Sequence, residues 1–333
     1  MQVVILGKED SKVSDFFSII TQGKVSVQNK KTFGTALVSD TRVDDLSAFF
    51  KPKKTTYSQL SFFSVDMTSP TCFEDVKTAD LIVYVVRAFS AYEGDQPQPQ
   101  QELESFITTL KLKDMEILER FIERNKKDLS KSKEVESASQ LLAEIENSGQ
   151  VKQETLAKCE FLKHTALLST LPLFFVFNRD ENEIRDEHLL SALKNKFPDY
   201  PMFSVSTNIE KELLEMDKTA YVEFLQAYQI EKPALEVLIN EIYQDLGLIT
   251  FFTVGEDEVR AWTVKKGSNA YESAGKIHSD IQKGFIRAEI VHYSDFVTHH
   301  FSFKEAKEKG VFYLEGKEYI VQDGDIMHVR FNI

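Results

Sequence analysis

Hydrophobic residues occur in short, nearly continuous runs over much of the chain, and amphipathic stretches separate them. Four such runs are Val3–Leu6, Leu81–Val86, Leu173–Phe177 and Met202–Val205. β-Branched and aromatic residues without polar alternation are typical of strands that are buried on both faces of a parallel sheet. Helical periodicity joins the last two runs over Glu187–Lys196. This alternation predicts a doubly wound α/β domain.

A polar, proline-containing segment at Gln96–Gln101 interrupts the alternation. It predicts a hinge through which neither a strand nor a helix continues. Apolar residues then recur at helical spacing over Leu103–Ile122, Leu141–Ile145 and Leu156–Leu162. We interpret these stripes as the buried faces of a helical hairpin, inserted into the α/β domain at 101–167.

A second break falls at Leu246–Leu248, after a predicted helix over Ala234–Asp245. Short alternating stretches follow, such as Ala261–Val264 and Glu318–Val321, and they predict the strands of a small β-grasp-like half-barrel. The chain is thus divided into a doubly wound domain, a helical insertion and a C-terminal domain, with predicted bounds of 1–100 plus 168–247, 101–167 and 248–333.

Length and composition are those of an ordinary globular protein. The chain has 333 residues, of which 42% are hydrophobic and 28% charged, so it can hold two or three domains. No apolar run approaches the ~20 residues that a membrane-spanning helix needs, and the N-terminus lacks the pattern of a signal peptide. Cys72 and Cys159 are isolated thiols without metal-site spacing. We therefore expect a cytoplasmic protein without a membrane partner.

The net charge of −13 argues against charge-driven binding of nucleic acid by the whole surface, and no DNA partner is expected. The charge is uneven, because residues 248–333 contain 11 Lys and Arg against 13 Asp and Glu. The span 260–287 is locally basic, with six basic residues against two acidic ones. By its charge alone, this span is better explained as a solvated face than as a binding surface.

Three C-terminal segments carry a family resemblance. They read LITFFTVGEDEVRAWTVKKG, AGKIHSDIQKGFIRAEIVHYSDFV and EGKEYIVQDGDIMHVRFNI, and they closely resemble the TGS domain of the YchF subfamily of Obg-type P-loop NTPases. Residues 39–54 resemble a further stretch of that subfamily, which ends in K-P-K-K, and Val85–Phe89 resembles its V-V-R-C-F strand end. The resemblance implies an NTPase-fold domain, a helical insertion and a TGS domain, together with association with the ribosome and RNA.

The phosphate-binding loop departs from the pattern of that family. Where G-x-x-x-x-G-K-[ST] belongs, the chain reads GKEDSKVS over residues 7–14. Gly7 and Ser14 match the first glycine and the metal-binding hydroxyl of the motif. Lys12, however, replaces the second glycine, and Val13 replaces the lysine that reaches the β- and γ-phosphates. The sequence therefore predicts a degraded phosphate site.

Other parts of the hydrolytic site are also altered. Glu9 and Asp10 place two carboxylates where a triphosphate would lie, and like charge opposes its binding. The D-x-x-G motif reads Asp66-Met67-Thr68-Ser69, so the glycine whose N–H meets the γ-phosphate is missing. Neither the metal-binding switch threonine nor the catalytic histidine of the family has a counterpart. Ser14 and Asp66 are therefore weak Mg²⁺ candidates, and no catalytic residue is predicted.

One element of the nucleotide site is preserved. Asn178–Glu181 matches the N-x-x-E base-recognition motif of the family, and Ser206 begins the segment that matches its second base-contacting loop. Two interpretations have similar weight: residual binding of ATP or GTP with Mg²⁺ at low affinity, or a structural role in which Asn178 bonds backbone groups and Glu181 caps the next helix. The predicted remnant of the nucleotide site is Gly7, Lys12, Ser14, Asp66, Asn178, Glu181 and Ser206.

The family resemblance turns the basic span into a candidate RNA surface. Its candidate residues are Arg260, Lys265, Lys266, Lys276, His278, Lys283 and Arg287. We assign Trp262 and Phe285, which are interleaved with them, to the core of the domain. Our hypothesis for function is a ribosome- or RNA-associated pseudo-NTPase that uses its NTPase fold as a scaffold. The alternatives are a weak ATPase that acts as a ribosome-associated switch, and a protein adaptor that acts through the helical insertion.

Overall fold

The computed structural model describes residues 1–332 except 29, 149–154, 157–158, 160–161, 163–166, 185 and 229. Its internal contacts divide the chain into two compact units. The N-terminal unit contains Met1–Thr35 and Ser61–Leu235, and the C-terminal unit contains Ala36–Leu60 and Glu236–Ile333. This grouping differs from the predicted bounds, because residues 36–60 and 236–247 group with the C-terminal residues. The sequence-based three-part division otherwise stays a prediction.

A twisted sheet forms the centre of the N-terminal unit. Its strands are β1 (Gln2–Gly7), β2 (Val25–Gln28), β3 (Lys31–Leu37), β5 (Gln59–Ser64), β6 (Leu81–Ala88), β7 (Leu173–Arg179) and β8 (Met202–Val205). Their order is β2-β3-β5-β1-β6-β7-β8, and the five strands from β5 to β8 are parallel. Strands β2 and β3 form an antiparallel hairpin at one edge. This topology confirms the predicted doubly wound α/β fold.

Helices follow the strands of this unit as the sequence pattern predicts. They are α1 (Val13–Ile20), α3 (Cys72–Val76), α4 (Pro99–Asn125), α5 (Ser132–Ser148), α6 (His188–Lys196), α7 (Thr207–Glu215) and α8 (Lys218–Ala227). Every residue of β7 is buried, and its alternate residues Leu173, Phe175 and Phe177 pack in one core cluster. In the part of the chain that the structure describes, no helix is long and apolar enough to cross a membrane.

Helix α4 differs from the prediction in two ways. It begins inside the predicted hinge, which is therefore wrong, because Pro99 occupies the first turn, where a missing N–H has no cost. Its first half packs on the sheet, and the Phe106 ring stacks on Tyr84 with centroids 3.8 Å apart. Only its second half packs against α5, through Leu118 and Leu141. The first helix of the predicted hairpin is thus shared between the sheet and the hairpin.

The third predicted helix, over Leu156–Leu162, lies outside the described residues except for positions 156, 159 and 162. Leu156, Cys159 and Leu162 belong to the same apolar cluster as the second half of α4.

The C-terminal unit contains a second sheet, with the order β12-β11-β13-β9-β10-β4. Its strands are β4 (Lys54–Thr56), β9 (Leu248–Thr253), β10 (Glu258–Lys265), β11 (Phe285–His292), β12 (Tyr313–Glu315) and β13 (Asp325–Phe331). The strand predicted at Glu318–Val321 is wrong. There the Tyr319 N–H closes a turn on the Gly316 carbonyl, and only Ile320 forms an isolated bridge, to Asn269.

Each face of this sheet packs against different helices. The helices are α2 (Thr41–Phe50), α9 (Ala234–Asp245), α10 (Ala270–Ile277), α11 (Ser279–Lys283), α12 (Tyr293–Thr298) and α13 (Phe303–Glu308). Phe251 of β9 clusters with Ala274 of α10, whereas its neighbour Phe252 clusters with Leu46 of α2 and Phe296 of α12. Successive residues of a strand point to opposite faces, so β9 serves both clusters.

Candidate functional site

The segment between β1 and α1 occupies the position of the phosphate loop, and it folds as a tight turn. Glu9–Ser11 form one turn of 3₁₀ helix. The Ser11 N–H donates to the Lys8 carbonyl at 3.0 Å, and the Lys12 N–H donates to the Glu9 carbonyl at 3.1 Å. A phosphate loop works through backbone N–H groups that face the anion. Two of these groups are already bonded within the turn.

Gly7, the last residue of β1, allows both the turn and the neighbouring strand β6 to approach closely. A Cβ atom at Gly7 would lie 2.8 Å from both the Ser11 Oγ and the Val85 carbonyl oxygen. Lys12 has a φ of 59°, in the left-handed region that favours the glycine of the family motif. Its Nζ lies 4.7 Å from the centre of the Phe89 ring, a cation–π contact.

The cations beside this turn are paired with the protein's own carboxylates. Arg87, at the end of β6, is hydrogen-bonded to Asp95, and its Nη1 lies 3.3 Å from Asp10 Oδ2. The side chains of Arg87 and Asp95 are only 16% and 12% exposed. Lys8 Nζ lies 3.9 Å from Glu102 Oε2, and burial raises the pKa of Glu102. A cavity of about 410 Å³ here is therefore lined by both cations and carboxylates.

The two weak Mg²⁺ candidates do not line the cavities beside the turn. Asp66 Oδ1 accepts hydrogen bonds from the Thr68 N–H at 2.8 Å and the Thr68 hydroxyl at 2.7 Å, and these bonds lower the pKa of Asp66. Ser14 is exposed in the first turn of α1. Among the residues that the structure describes, no three or more His, Cys, Asp or Glu side chains are grouped so that they could hold a metal ion.

Asn178, at the end of β7, joins three segments. It is 1% exposed, and its Nδ2 donates to the Ser11 carbonyl at 3.0 Å. Its Oδ1 accepts from the Thr207 N–H at 3.1 Å and from the Thr207 hydroxyl at 3.2 Å. The structural interpretation of Asn178 thus has a geometric basis. Beside these bonds lies a cavity of about 250 Å³, whose lining includes Lys12, Phe89, Asn178 and Asn208.

The other two predicted base-site residues do not line this cavity. Glu181 is exposed in the 3₁₀ turn Glu181–Glu183. The expectation that it caps the next helix is wrong, because Asp186 accepts the bond from the His188 N–H at the start of α6. Ser206 is buried, and its hydroxyl lacks a hydrogen-bond partner among the described residues. It lines a separate cavity of about 290 Å³, with Ile209 and Leu213 of α7.

Sequence reasoning missed Asp95, although it forms the less exposed of the two ion pairs at Arg87. Asp95 also accepts the Ala91 N–H at 2.8 Å, so it holds the whole segment after β6. The only sequence signal is its place directly before the proline-containing segment, and that signal predicts a turn rather than an ion pair.

The candidate RNA residues of the C-terminal unit fall into two classes. Three have partners within the unit: Arg260 lies 3.9 Å above the Trp262 ring, His278 accepts the Asp280 N–H to cap α11, and Lys283 lies 3.7 Å from Asp280. The other four are exposed and form neither an ion pair nor a side-chain hydrogen bond in the part of the chain that the structure describes, namely Lys265, Lys266, Lys276 and Arg287. Phe285 is buried and Trp262 packs against the same cluster, as expected for core residues.

The strand register separates the exposed basic residues. Lys265 lies opposite Leu248, four residues before Phe252 on β9. Arg287 lies opposite Arg330, four residues beyond Ile326, which pairs with Phe252. At roughly 3.3 Å per residue, Lys265 and Arg287 are about 26 Å apart along the strand direction. The basic span is therefore not a single patch.

Comparison with known proteins places the chain in a family. A family model named YchF-GTPase_C, described as a protein of unknown function (DUF933), matches residues 248–332. The Ribosome-binding ATPase YchF of Bacillus subtilis is 34% identical over 99% of this chain and 98% of its own length. The protein of that name from Pasteurella multocida is 31% identical over the same shares. The chain belongs to the YchF family.

Solved structures agree with this assignment to the YchF family. The chain superposes on the YchF GTPase of Schizosaccharomyces pombe with a TM-score of 0.83 and 25% identity, over 99% of this chain and 97% of that one. A GTP-binding protein from Pyrococcus horikoshii OT3 has a TM-score of 0.60 at 18% identity over the full length of both chains, and shows the shared fold. The resemblance to YchF proteins and the fold class predicted from the sequence are both confirmed.

Proposed function

We propose that this YchF-family chain is a ribosome- and RNA-associated protein that uses its NTPase fold as a scaffold, with little or no nucleotide hydrolysis. The observation that carries the proposal is the tight turn at residues 8–12. Its N–H groups at Ser11 and Lys12 are bonded to the turn's own carbonyl oxygens. The residues present therefore do not fit the phosphates of a nucleotide.

Electrostatics supports the same proposal. A nucleotide phosphate near Arg87 would compete with Asp10 and Asp95, which already pair with its guanidinium. The motif lysine is absent, because Val13 stands in its place. Each lost charge-assisted hydrogen bond weakens binding by roughly 1.5–3 kcal/mol. Loss of two or three such bonds weakens binding by roughly 10²- to 10⁶-fold, and we expect ATP and GTP to bind more weakly than millimolar.

Association with the ribosome is proposed because two relatives that match nearly the whole chain are named ribosome-binding ATPases. We also propose that residues 248–333 are a TGS domain and that its exposed basic residues contact RNA.

The second candidate function is a weak ATP- or GTP-binding ATPase that acts as a ribosome-associated switch. The names of the relatives favour it, and so does the cavity of about 250 Å³ beside Asn178, which has room for part of a base. In that case Ser14 and Asp66 are the residues through which Mg²⁺ would be held.

Sedimentation of the purified chain with ribosomes through a sucrose gradient tests both candidates. Co-sedimentation that is equal with and without ATP supports the scaffold, whereas co-sedimentation that requires or is abolished by ATP supports the switch. Phosphate release is measured on the same fractions. A turnover that Ser14→Ala or Asp66→Ala removes would reject the scaffold proposal, and absence of the chain from the ribosomal fractions would reject both candidates.

A further inference from the structure

One face of the C-terminal sheet is open at one end. On β11 and β13, Arg287 lies directly opposite Arg330, and Glu289 lies directly opposite His328. All but Glu289 are exposed. Two residues further along β11 the same face is covered, because Val291 packs in the cluster that contains residues of α2 and α12. The open end is therefore a bounded patch on the sheet.

Two arginines lie directly opposite each other in this patch, an arrangement that is electrostatically unfavourable. Arg330 is neutralised within the unit, because its Nε donates to Glu289 Oε1 at 2.9 Å. For Arg287, the described part of the chain supplies neither an ion pair nor a side-chain hydrogen bond. The patch therefore carries a net positive charge that is centred on Arg287.

The guanidinium of Arg287 lies close against Gly316. Its Nη1 lies 3.1 Å from the point where a Cβ atom on Gly316 would be. Gly316 directly follows β12, the edge strand of the sheet. Glycine at this position lacks the side chain that would crowd the guanidinium. Leu314 of β12 pairs with Glu289, so it lies on the same face, and it is 55% exposed.

We propose that Arg287 is the central contact of a site for the RNA sugar–phosphate backbone, with Arg330 and His328 beside it. The proposal rests on the proposed RNA association of the chain and locates it at one end of one sheet face. A guanidinium presents a planar fork of donors that matches two phosphate oxygens. Leu314 provides an apolar neighbour for a ribose or base. Lys265, about 26 Å away along the strands, is not part of this site.

Fluorescence anisotropy with the full chain tests the proposal, with 5′-labelled single-stranded RNAs of 20 nucleotides and two different sequences as probes. Arg287→Ala should weaken binding of both RNAs about tenfold and to the same extent, because phosphates carry no sequence information. The slope of log affinity against log salt should fall by about 0.7, the value for one phosphate contact on a single strand. Arg287→Lys should lie between Ala and wild type, because it keeps the charge and loses the fork.

Arg120→Ala is the matched control, because it removes one exposed arginine from α4. It should change RNA affinity less than twofold. The proposal is overturned if wild type does not bind either RNA, if Arg287→Ala binds as wild type does, or if Arg120→Ala is equally weakened. It is also overturned if Arg287→Ala loses co-sedimentation with ribosomes but keeps its RNA affinity, since the partner would then be an acidic protein segment.

The two experiments distinguish rejection of the Arg287 site from rejection of the proposed ribosome association. If Arg287→Ala co-sediments with ribosomes as wild type does and binds both RNAs normally, ribosome association stands and the site does not. If Arg287→Ala loses RNA binding while wild type never co-sediments with ribosomes, the site stands and the ribosomal role does not.

Discussion

Arg87 and Arg287 are each a cation at the end of a sheet in a separate unit, and their surroundings are opposite. Arg87 is largely buried and is paired with Asp95 and Asp10. Arg287 is exposed, faces another arginine across the strand pair, and has no carboxylate partner among the described residues. The same guanidinium is thus satisfied within the protein in one case and left open to solvent in the other.

The difference shows how a protein's own carboxylates decide whether an arginine can meet an external phosphate. Where the chain supplies its own anions, as at Arg87, an external phosphate has to displace them and gains little. Where no internal anion is supplied, as at Arg287, an external phosphate adds a charge-assisted hydrogen bond without such competition. By this criterion, the cavity beside Arg87 is less suited to an external phosphate than the sheet face beside Arg287.

The largest expected effect concerns nucleotide affinity. If it is not observed, the comparison between Arg87 and Arg287 does not hold. Wild type should bind ATP and GTP more weakly than about 1 mM, because the loss of two or three charge-assisted bonds reduces affinity by roughly 10²-fold or more. The triple variant Asp10→Asn, Lys12→Gly, Val13→Lys should bind at least about tenfold more tightly than wild type. Isothermal titration measures both, and micromolar binding by wild type would contradict the comparison.

Asn178→Ala should lower the free energy of unfolding by about 2–3 kcal/mol, because it leaves the Ser11 carbonyl and the Thr207 N–H without their buried partner. Asn208→Ala serves as its control. Asn208 lines the same cavity but is exposed, so its loss should cost less than about 0.5 kcal/mol. Urea denaturation measures the free energy of unfolding of both variants. Equal destabilisation would mean that the hydrogen bonds of Asn178 do not stabilise the fold.

Asp95→Ala should destabilise the chain by about 2 kcal/mol, because it leaves the largely buried Arg87 with only one, partly exposed carboxylate. Asp10→Ala removes that second carboxylate, which is 55% exposed, and should cost less than about 1 kcal/mol. Thermal unfolding of the two variants at one salt concentration compares them. If both have the same melting temperature as wild type, Arg87 is not held by an internal ion pair.

Gly316→Asp tests, in the C-terminal unit, whether a carboxylate supplied by the protein hinders phosphate binding at an arginine. It places a carboxylate beside Arg287 and should weaken RNA binding about tenfold, as Arg287→Ala does. Gly316→Asn has nearly the same shape without the charge and should weaken RNA binding less. Anisotropy on both variants measures this, and an equal loss for Asp and Asn would point to steric blocking instead of charge pairing.

The smallest effect concerns Glu102, whose pKa is raised mainly by burial. A raised carboxyl pKa means that the folded chain binds the proton more tightly than the unfolded chain. Stability therefore falls as pH rises from the unfolded value through the folded value. Glu102→Gln should remove this decline and be at least as stable as wild type at pH 8. Melting temperatures from pH 4 to pH 8 test it, and an unchanged pH profile would contradict the expectation.

Much of the fold follows from the sequence by itself. The apolar runs of β1, β6 and β7 have no polar alternation and are rich in β-branched and aromatic residues, a pattern typical of a strand buried on both faces. The replacement of the motif lysine by Val13 is also evident from the chain alone. The start of α4 is not evident from the chain alone, because a proline such as Pro99 can end one helix or begin another. Only the packing of Phe106 on Tyr84 decides between the two.

Only the tertiary structure decided which charged side chains form ion pairs. Asp10 and Arg87 are 77 residues apart in the chain, and no periodicity marks a contact over such a distance. The basic span 260–287 reads as one patch in sequence, but strand register sends Lys265 and Arg287 to opposite ends of the sheet. Local sequence determines which residues form a strand, because that choice depends on near neighbours. The pairing of ions depends on where distant strands end, which only the folded chain fixes.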